Sequence, residues 1–207
     1  IEDCAFYGCK LLKTINMAES IVSIGKECFS GCSTIKNIVL PSSVKVIEDY
    51  LFSDCVSLET IDGSFDILND KCFLNCTSLK AINSQSIINY IGKCAFENCF
   101  SLKTIPKIGE ITKIYCNTFY KCKSLESFTI PSSVTDIELN AFNSCTSLKS
   151  ITIPSSVESI DLYSFAECTS LESVSISSSI KEIKISSFAK CTSLKSITIP
   201  SSVENID

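Results

Sequence analysis

Apolar residues along this chain fall into columns that recur with a fixed step. Phenylalanine stands at Phe6, Phe29, Phe52, Phe73, Phe96, Phe119, Phe142, Phe165 and Phe188. Each step is 23 residues, except one of 21 between Phe52 and Phe73. Three residues after each ring comes a cysteine: Cys9, Cys32, Cys55, Cys76, Cys99, Cys122, Cys145, Cys168 and Cys191. Three further on comes a leucine, or isoleucine at Ile35. A constant period of this length signals a solenoid, in which each repeat buries its apolar face against its neighbours.

The unit from Leu148 to Cys168 shows the elements. Ile151 and Ile153 alternate with Ser150 and Thr152, the pattern of a strand with one buried face. Pro154-Ser-Ser then predicts a turn. Val157 and Ile160 are too close together for a helix of their own and predict a second short strand or extended segment. Phe165 and Cys168, three apart, predict a single helical turn. The Val157 column reads Ile21, Val44, Phe65, Ile88, Ile111, Val134, Val157, Ile180 and Val203. The Ile160 column reads Ile24, Ile47, Leu68, Ile91, Ile114, Ile137, Ile160, Ile183 and Ile206. No polar residue interrupts either, as stacked coils sharing one core require. The short step falls at Asp62-Gly63-Ser64, where a turn is trimmed and the columns are spared.

These residues carry a resemblance. Leu-x-x-Ile-x-Ile is similar to the strand of a leucine-rich repeat. The run Ile-Pro-Ser-Ser-Val-x-x-Ile, followed by Phe-x-x-Cys-x-x-Leu, resembles the BspA-like, Treponema-type subclass along the whole chain. The resemblance implies a repeat solenoid, α/β to mainly β, built as a right-handed coil of about nine 23-residue repeats with a parallel sheet on the concave face. Two departures read as surface or turn details: Ile-Gly is kept at Ile24-Gly25 and Ile91-Gly92, and Ala-Phe at Ala5-Phe6, Ala95-Phe96 and Ala141-Phe142. The Asn ladder of common leucine-rich repeats is absent, so the turn hydrogen bonds must be satisfied differently. For function, the resemblance implies a non-catalytic protein-interaction module, at a microbial cell surface or secreted, with adhesion to host cells or matrix proteins. A cytoplasmic scaffold or regulatory repeat domain is the alternative.

One unbroken period makes residues 1–207 a single solenoid, with a stack length of roughly 40–45 Å at strand spacing. Both ends fall inside repeats and lack polar caps, so the chain is expected to be part of a longer protein and open to end-to-end self-association. The net charge of −5, without a basic cluster, argues against a nucleic-acid partner. No apolar run approaches the ~20 residues of a membrane span, so no membrane insertion by this segment is expected.

Fourteen cysteines invite a disulfide or metal reading, and their positions argue against it. A ladder sets thiols in a line, whereas zinc needs four ligands around one point. Parallel side chains on adjacent coils aim their sulfurs badly for a disulfide. The nine-residue column is therefore expected to be a ladder of structural free thiols. Cys4, Cys28, Cys72, Cys94 and Cys116 lie outside it and are expected to be the exposed or oxidisable ones.

No catalytic set survives the period. The chain has no histidine, which excludes Ser-His-Asp and Cys-His pairs and every histidine metal site. No glycine-rich phosphate loop or other cofactor motif is present. The residues after the strand leucine read Lys13, Lys36, Glu59, Lys80, Lys103, Glu126, Lys149, Glu172 and Lys195, a solvated salt ladder. The segments 145–158 and 191–204 are identical, which speaks against a unique residue in either. A protein partner would meet the coils that depart most from the repeat. The candidate contacts are Asp62, Asn83 and Pro106 on the strand side, with Phe100 and Tyr120 as an aromatic pair at one corner of adjacent coils.

Overall fold

The computed structural model describes residues 1–177 and 179–206. It is a stack of parallel coils, each contributing up to two short strands. These are β1 (Asn37–Val39), β2 (Val46–Ile47), β3 (Thr60–Gly63), β4 (Ile67–Leu68), β5 (Ala81–Ser84), β6 (Tyr90–Ile91) and β7 (Lys113–Ile114). They continue as β8 (Asp136–Ile137), β9 (Ser150–Ile153), β10 (Ser159–Ile160), β11 (Ser173–Ile176), β12 (Glu182–Ile183), β13 (Ser196–Ile197) and β14 (Asn205–Ile206). All pairing is parallel and in register by one repeat, as in Ser173 opposite Ser150 and Ile160 opposite Ile183. Both strands expected from the Leu148–Ile160 unit are present, as β9 and β10.

The phenylalanines stack face to face along the axis. Consecutive centroids lie 5.2 to 5.7 Å apart with ring planes within 14° of parallel. Nine motif copies are present in the sequence, but the complete, core-filled turns number about seven, slightly fewer than expected. The seven rings from Phe29 to Phe165 are fully buried, whereas Phe6 and Phe188 are only partly covered. A terminal coil has a neighbour on one side only and cannot close its own core.

The expected helical turn after each strand pair is not formed; no helix occurs among the described residues. Two residues per coil have left-handed backbone, two before and two after each phenylalanine. Tyr163 (φ 57°) and Glu167 (φ 59°) flank Phe165, and Gly31 (φ 72°) follows Phe29. A right-handed helix cannot pass through such positions. The segment is instead a series of tight turns whose alternate N–H groups point along the stack. The N–H groups of Tyr163, Phe165 and Glu167 donate to the carbonyls of Ile185, Ser187 and Ala189 on the next coil, at 3.3, 2.8 and 2.8 Å. The arch is thus hydrogen-bonded between coils as a sheet is.

The column immediately before each ring, which includes Cys28, Leu51, Cys72, Ala95, Thr118, Ala141 and Ser164, is buried. Ala95 and Ala141 are therefore core positions, not the surface or turn details the sequence implied. The same geometry corrects the cysteine expectation. Cys28, Cys72 and Cys94 are buried and Cys116 is half-buried; of the five irregular cysteines only Cys4 is exposed. Within the ladder, Cys9 on the first coil is exposed and Cys191 on the last half-buried, again because each end lacks a neighbour. Gly25 and Gly92 also have a packing reason. A β-carbon there would lie 2.5 and 2.7 Å from the backbone nitrogens of Asp3 and Asp70 on the preceding coil. The carboxylates of those aspartates accept from the N–H groups of Lys26 and Lys93, both at 2.8 Å.

Candidate functional site

The thiol ladder answers the question left by the missing asparagines. Each interior Cys Sγ donates to the carbonyl of the phenylalanine one coil back: Cys55 to Phe29 at 3.1 Å, Cys99 to Phe73 at 3.1 Å, and Cys145 to Phe119 at 3.2 Å. Serine hydroxyls repeat the device at the other turn, where Ser133 donates to Ile111 at 2.7 Å and Ser202 to Ile180 at 2.8 Å. Burial in the dry core pushes the Cys32 thiol up to about 11 and those of Cys99, Cys122 and Cys145 higher still. Such thiols stay protonated and act as donors, not nucleophiles. Among the described residues, no cluster of three His, Cys, Asp or Glu side chains is placed to hold a metal ion.

The salt ladder forms wherever a lysine follows a glutamate by one coil. Lys80 pairs with Glu59, Lys149 with Glu126 at 3.7 Å, and Lys195 with Glu172 at 2.9 Å. All are surface pairs of small energetic weight. Lys103 has no carboxylate on the preceding coil, where Lys80 stands, and makes no ion pair among the described residues.

The regular sheet on the strand face is interrupted once. β1, β3 and β5 form one three-stranded sheet, and β9, β11 and β13 form another. Between them lie two coils with no strand on this face. Main-chain groups of residues 104–106 and 127–130 make no hydrogen bond among the described residues. Two substitutions in the repeat account for this. Pro106 takes the place held by Asn83 and Thr152 in neighbouring coils, and proline has no N–H to offer a ladder. Phe128 takes the place held by Ile82 and Ile151, and its ring wedges edgewise against Phe119 and Phe142, 5.0 Å from each centroid. The result is a groove of about 450 Å³ lined by Thr104, Ile105, Pro106, Lys107, Phe128 and Pro131, among others. The other face is broken nearby: β2, β4 and β6 end one sheet, and β7 begins the next, with Tyr90 and Tyr115 tilted against each other at 5.9 Å.

The five sequence candidates separate into two groups. Asp62, Asn83 and Pro106 lie on one column of successive coils, and the Asn83 amide donates to the Asp62 carboxylate at 2.9 Å. That column leads into the groove through Pro106. Phe100 and Tyr120 do not pair with each other. The Lys123 ammonium sits 4.6 Å from the Phe100 ring centre, and Lys121 sits 4.8 Å from that of Tyr120. Both rings are half-buried. Phe128 escaped the sequence reading, although a signal was there: it is the one aromatic residue in a column otherwise Ile or Val.

The family model described as BspA type leucine rich repeat region (6 copies) matches residues 1–117 and again 112–207. A leucine-rich repeat protein of Bacteroides ovatus is 32% identical, with a TM-score of 0.71 over 98% of this chain and 58% of that one. A leucine rich cell surface protein of Faecalibacterium prausnitzii is 27% identical, with a TM-score of 0.59 over 97% of this chain and 63% of its own. The leucine rich repeat protein of T. pallidum is 25% identical, with a TM-score of 0.56 over 84% of this chain and 72% of its own. This chain spans less than two thirds of the first two of those proteins. No curated protein matches it.

Proposed function

We propose, from the premise that this chain belongs to the BspA-type leucine-rich repeat family, that it is a non-catalytic adhesion module displayed on or secreted from a microbial cell. Its partners are host-surface or extracellular-matrix proteins. The observation that carries this reading is the stack itself. An uninterrupted core of phenylalanine, cysteine and aliphatic columns presents a long row of small polar strand positions, and repeat surfaces of this kind serve to bind other proteins. That the Faecalibacterium prausnitzii relative is a leucine rich cell surface protein supports the location. Among the described residues, no helix is long and apolar enough to cross a membrane.

The test is capture on the immobilised chain, with purified matrix proteins and a cytosolic extract offered in parallel. Saturable binding of a matrix protein is the expected result. Selective enrichment of one cytosolic protein, with no matrix binding, would replace adhesion by an intracellular scaffold.

A further inference from the structure

The interruption of the strand-face sheet has the chemistry of a peptide site. Within the β1–β3–β5 and β9–β11–β13 sheets the strands satisfy one another, and outside them the first coil, residues 13–17, is strandless as well. At the seam the main-chain N–H and C=O groups of Thr104, Ile105 and Ser127–Ile130 have no protein partner among the described residues. They flank a groove lined by Ile105, Pro106 and Pro131, with Phe128 largely buried beneath them. Unpaired main-chain groups beside an apolar floor match an extended peptide, which brings its own N–H and C=O groups and buries alternate side chains.

Charge selects among such peptides. Lys107 lines the groove and Lys103 stands exposed on the same coil; neither forms an ion pair among the described residues. The facing glutamate, Glu126, is already engaged by Lys149. Glu110 lies at the far end, where the groove continues past Ile87 toward Ser133. The seam is therefore locally positive on an otherwise acidic chain of net charge −5. We infer that this seam is a docking site for an extended, acidic segment of a protein partner, anchored by an aliphatic or aromatic side chain against Ile105, Pro106 and Pro131. This inference rests on the protein-interaction reading above and names the partner's binding element.

The experiment uses the 207-residue chain and a capped, fluorescent Asp-Glu-Val-Thr-Val-Asp-Glu peptide, read by anisotropy at low salt. Saturable binding is expected. It should weaken at least about tenfold with a peptide N-methylated at alternate residues, and by a similar factor when Lys replaces the acids. Two protein variants probe the two features separately. Pro106→Thr combined with Phe128→Ile restores the residues usual in the repeat. It should close the seam, slow amide exchange at residues 104–106 and 127–130, and abolish binding while the chain still unfolds cooperatively. Lys103→Glu with Lys107→Glu leaves the backbone alone and should weaken binding at least about tenfold. Undiminished binding to the double-glutamate variant, or to a variant whose slowed exchange shows a closed seam, would overturn the proposal. So would no binding at millimolar peptide. Matrix binding that survives seam closure would leave the adhesion reading intact and defeat only the seam. Seam-dependent peptide binding without any matrix binding would do the reverse.

Discussion

The Sγ of Cys122 donates to the carbonyl of Phe96, one coil back, across 3.2 Å. A residue that composition alone would mark as reactive is here a buried hydrogen-bond donor. It supplies at the turn what asparagine supplies in other leucine-rich repeats. Replacing Cys122 by Ala removes the donor and opens a small void. The expected cost is about 2–3 kcal/mol in denaturant unfolding. Cys122→Val fills the site with a slightly larger apolar side chain and loses the donor, whereas Cys122→Ser keeps a donor. If Val is tolerated better than Ser, the thiol is filler and the ladder assignment fails.

The same burial sets an alkaline limit. Thiols have an ordinary value of 9.0, and burial holds Cys32 at about 11; burial together with the Glu97 hydrogen bond holds Cys94 at about 12. Below pH 9 both folded and unfolded states keep these protons, and stability is at its full value. As pH rises above that point the unfolded thiols ionise while the folded ones do not, so stability falls. Each fully buried thiol contributes a slope of up to about 1.4 kcal/mol per pH unit. Melting temperature should drop steeply between pH 9 and 11. A variant with Val at positions 122 and 145 should show a shallower drop. Equal slopes would show that other groups drive the transition.

The ring stack is expected to be strong in the middle and weak at the ends. Phe142 is fully buried between Phe119 and Phe165, and also touches Phe128. Phe142→Ala should cost about 3–5 kcal/mol. Phe188 is only partly covered, so Phe188→Ala should cost clearly less. Similar losses at both positions, measured by urea unfolding, would contradict a core closed over about seven turns.

The left-handed positions make a separate prediction. Glu27 has φ 55° and no side-chain hydrogen bond among the described residues. Valine there would force a branched side chain into a backbone region it resists, costing about 1–2 kcal/mol. Glu27→Gly should be close to neutral. A Val variant as stable as the Gly variant would mean that the arch backbone differs from this one.

Phe100 tests whether a departure from the repeat is contact or packing. Its ring is half-buried beneath Lys123. Phe100→Ser should leave the unfolding free energy within about 1 kcal/mol of the parent, as a partly exposed site allows. If it also reduces capture of a partner, Phe100 belongs to the binding surface. A large loss of stability would instead assign the ring to the core.

Much of this architecture is legible in the chain because repetition multiplies a weak signal. One alternating segment is ambiguous, but nine copies with uninterrupted Val157 and Ile160 columns leave stacking as the only way to bury them all. What the columns do not carry is backbone sign and direction. The spacing of Phe165 and Cys168 fits a helical turn as well as it fits a left-handed arch. Only inter-coil hydrogen bonding from Tyr163, Phe165 and Glu167 decides between them. The irregular cysteines misled for the same reason. Cys28 and Cys72 look displaced from the ladder along the chain, yet the arch turns the residue before each ring inward. Pro106 was visible as a departure, whereas the seam needed Phe128 as well, and their effect exists only where two coils meet. Sequence thus determined the period, the core columns and the coarse class of the molecule, since those follow from local burial pattern alone. Tertiary structure decided which groups find partners across coils, and which main-chain groups, at Thr104–Pro106 and Ser127–Ile130, are left without one among the described residues.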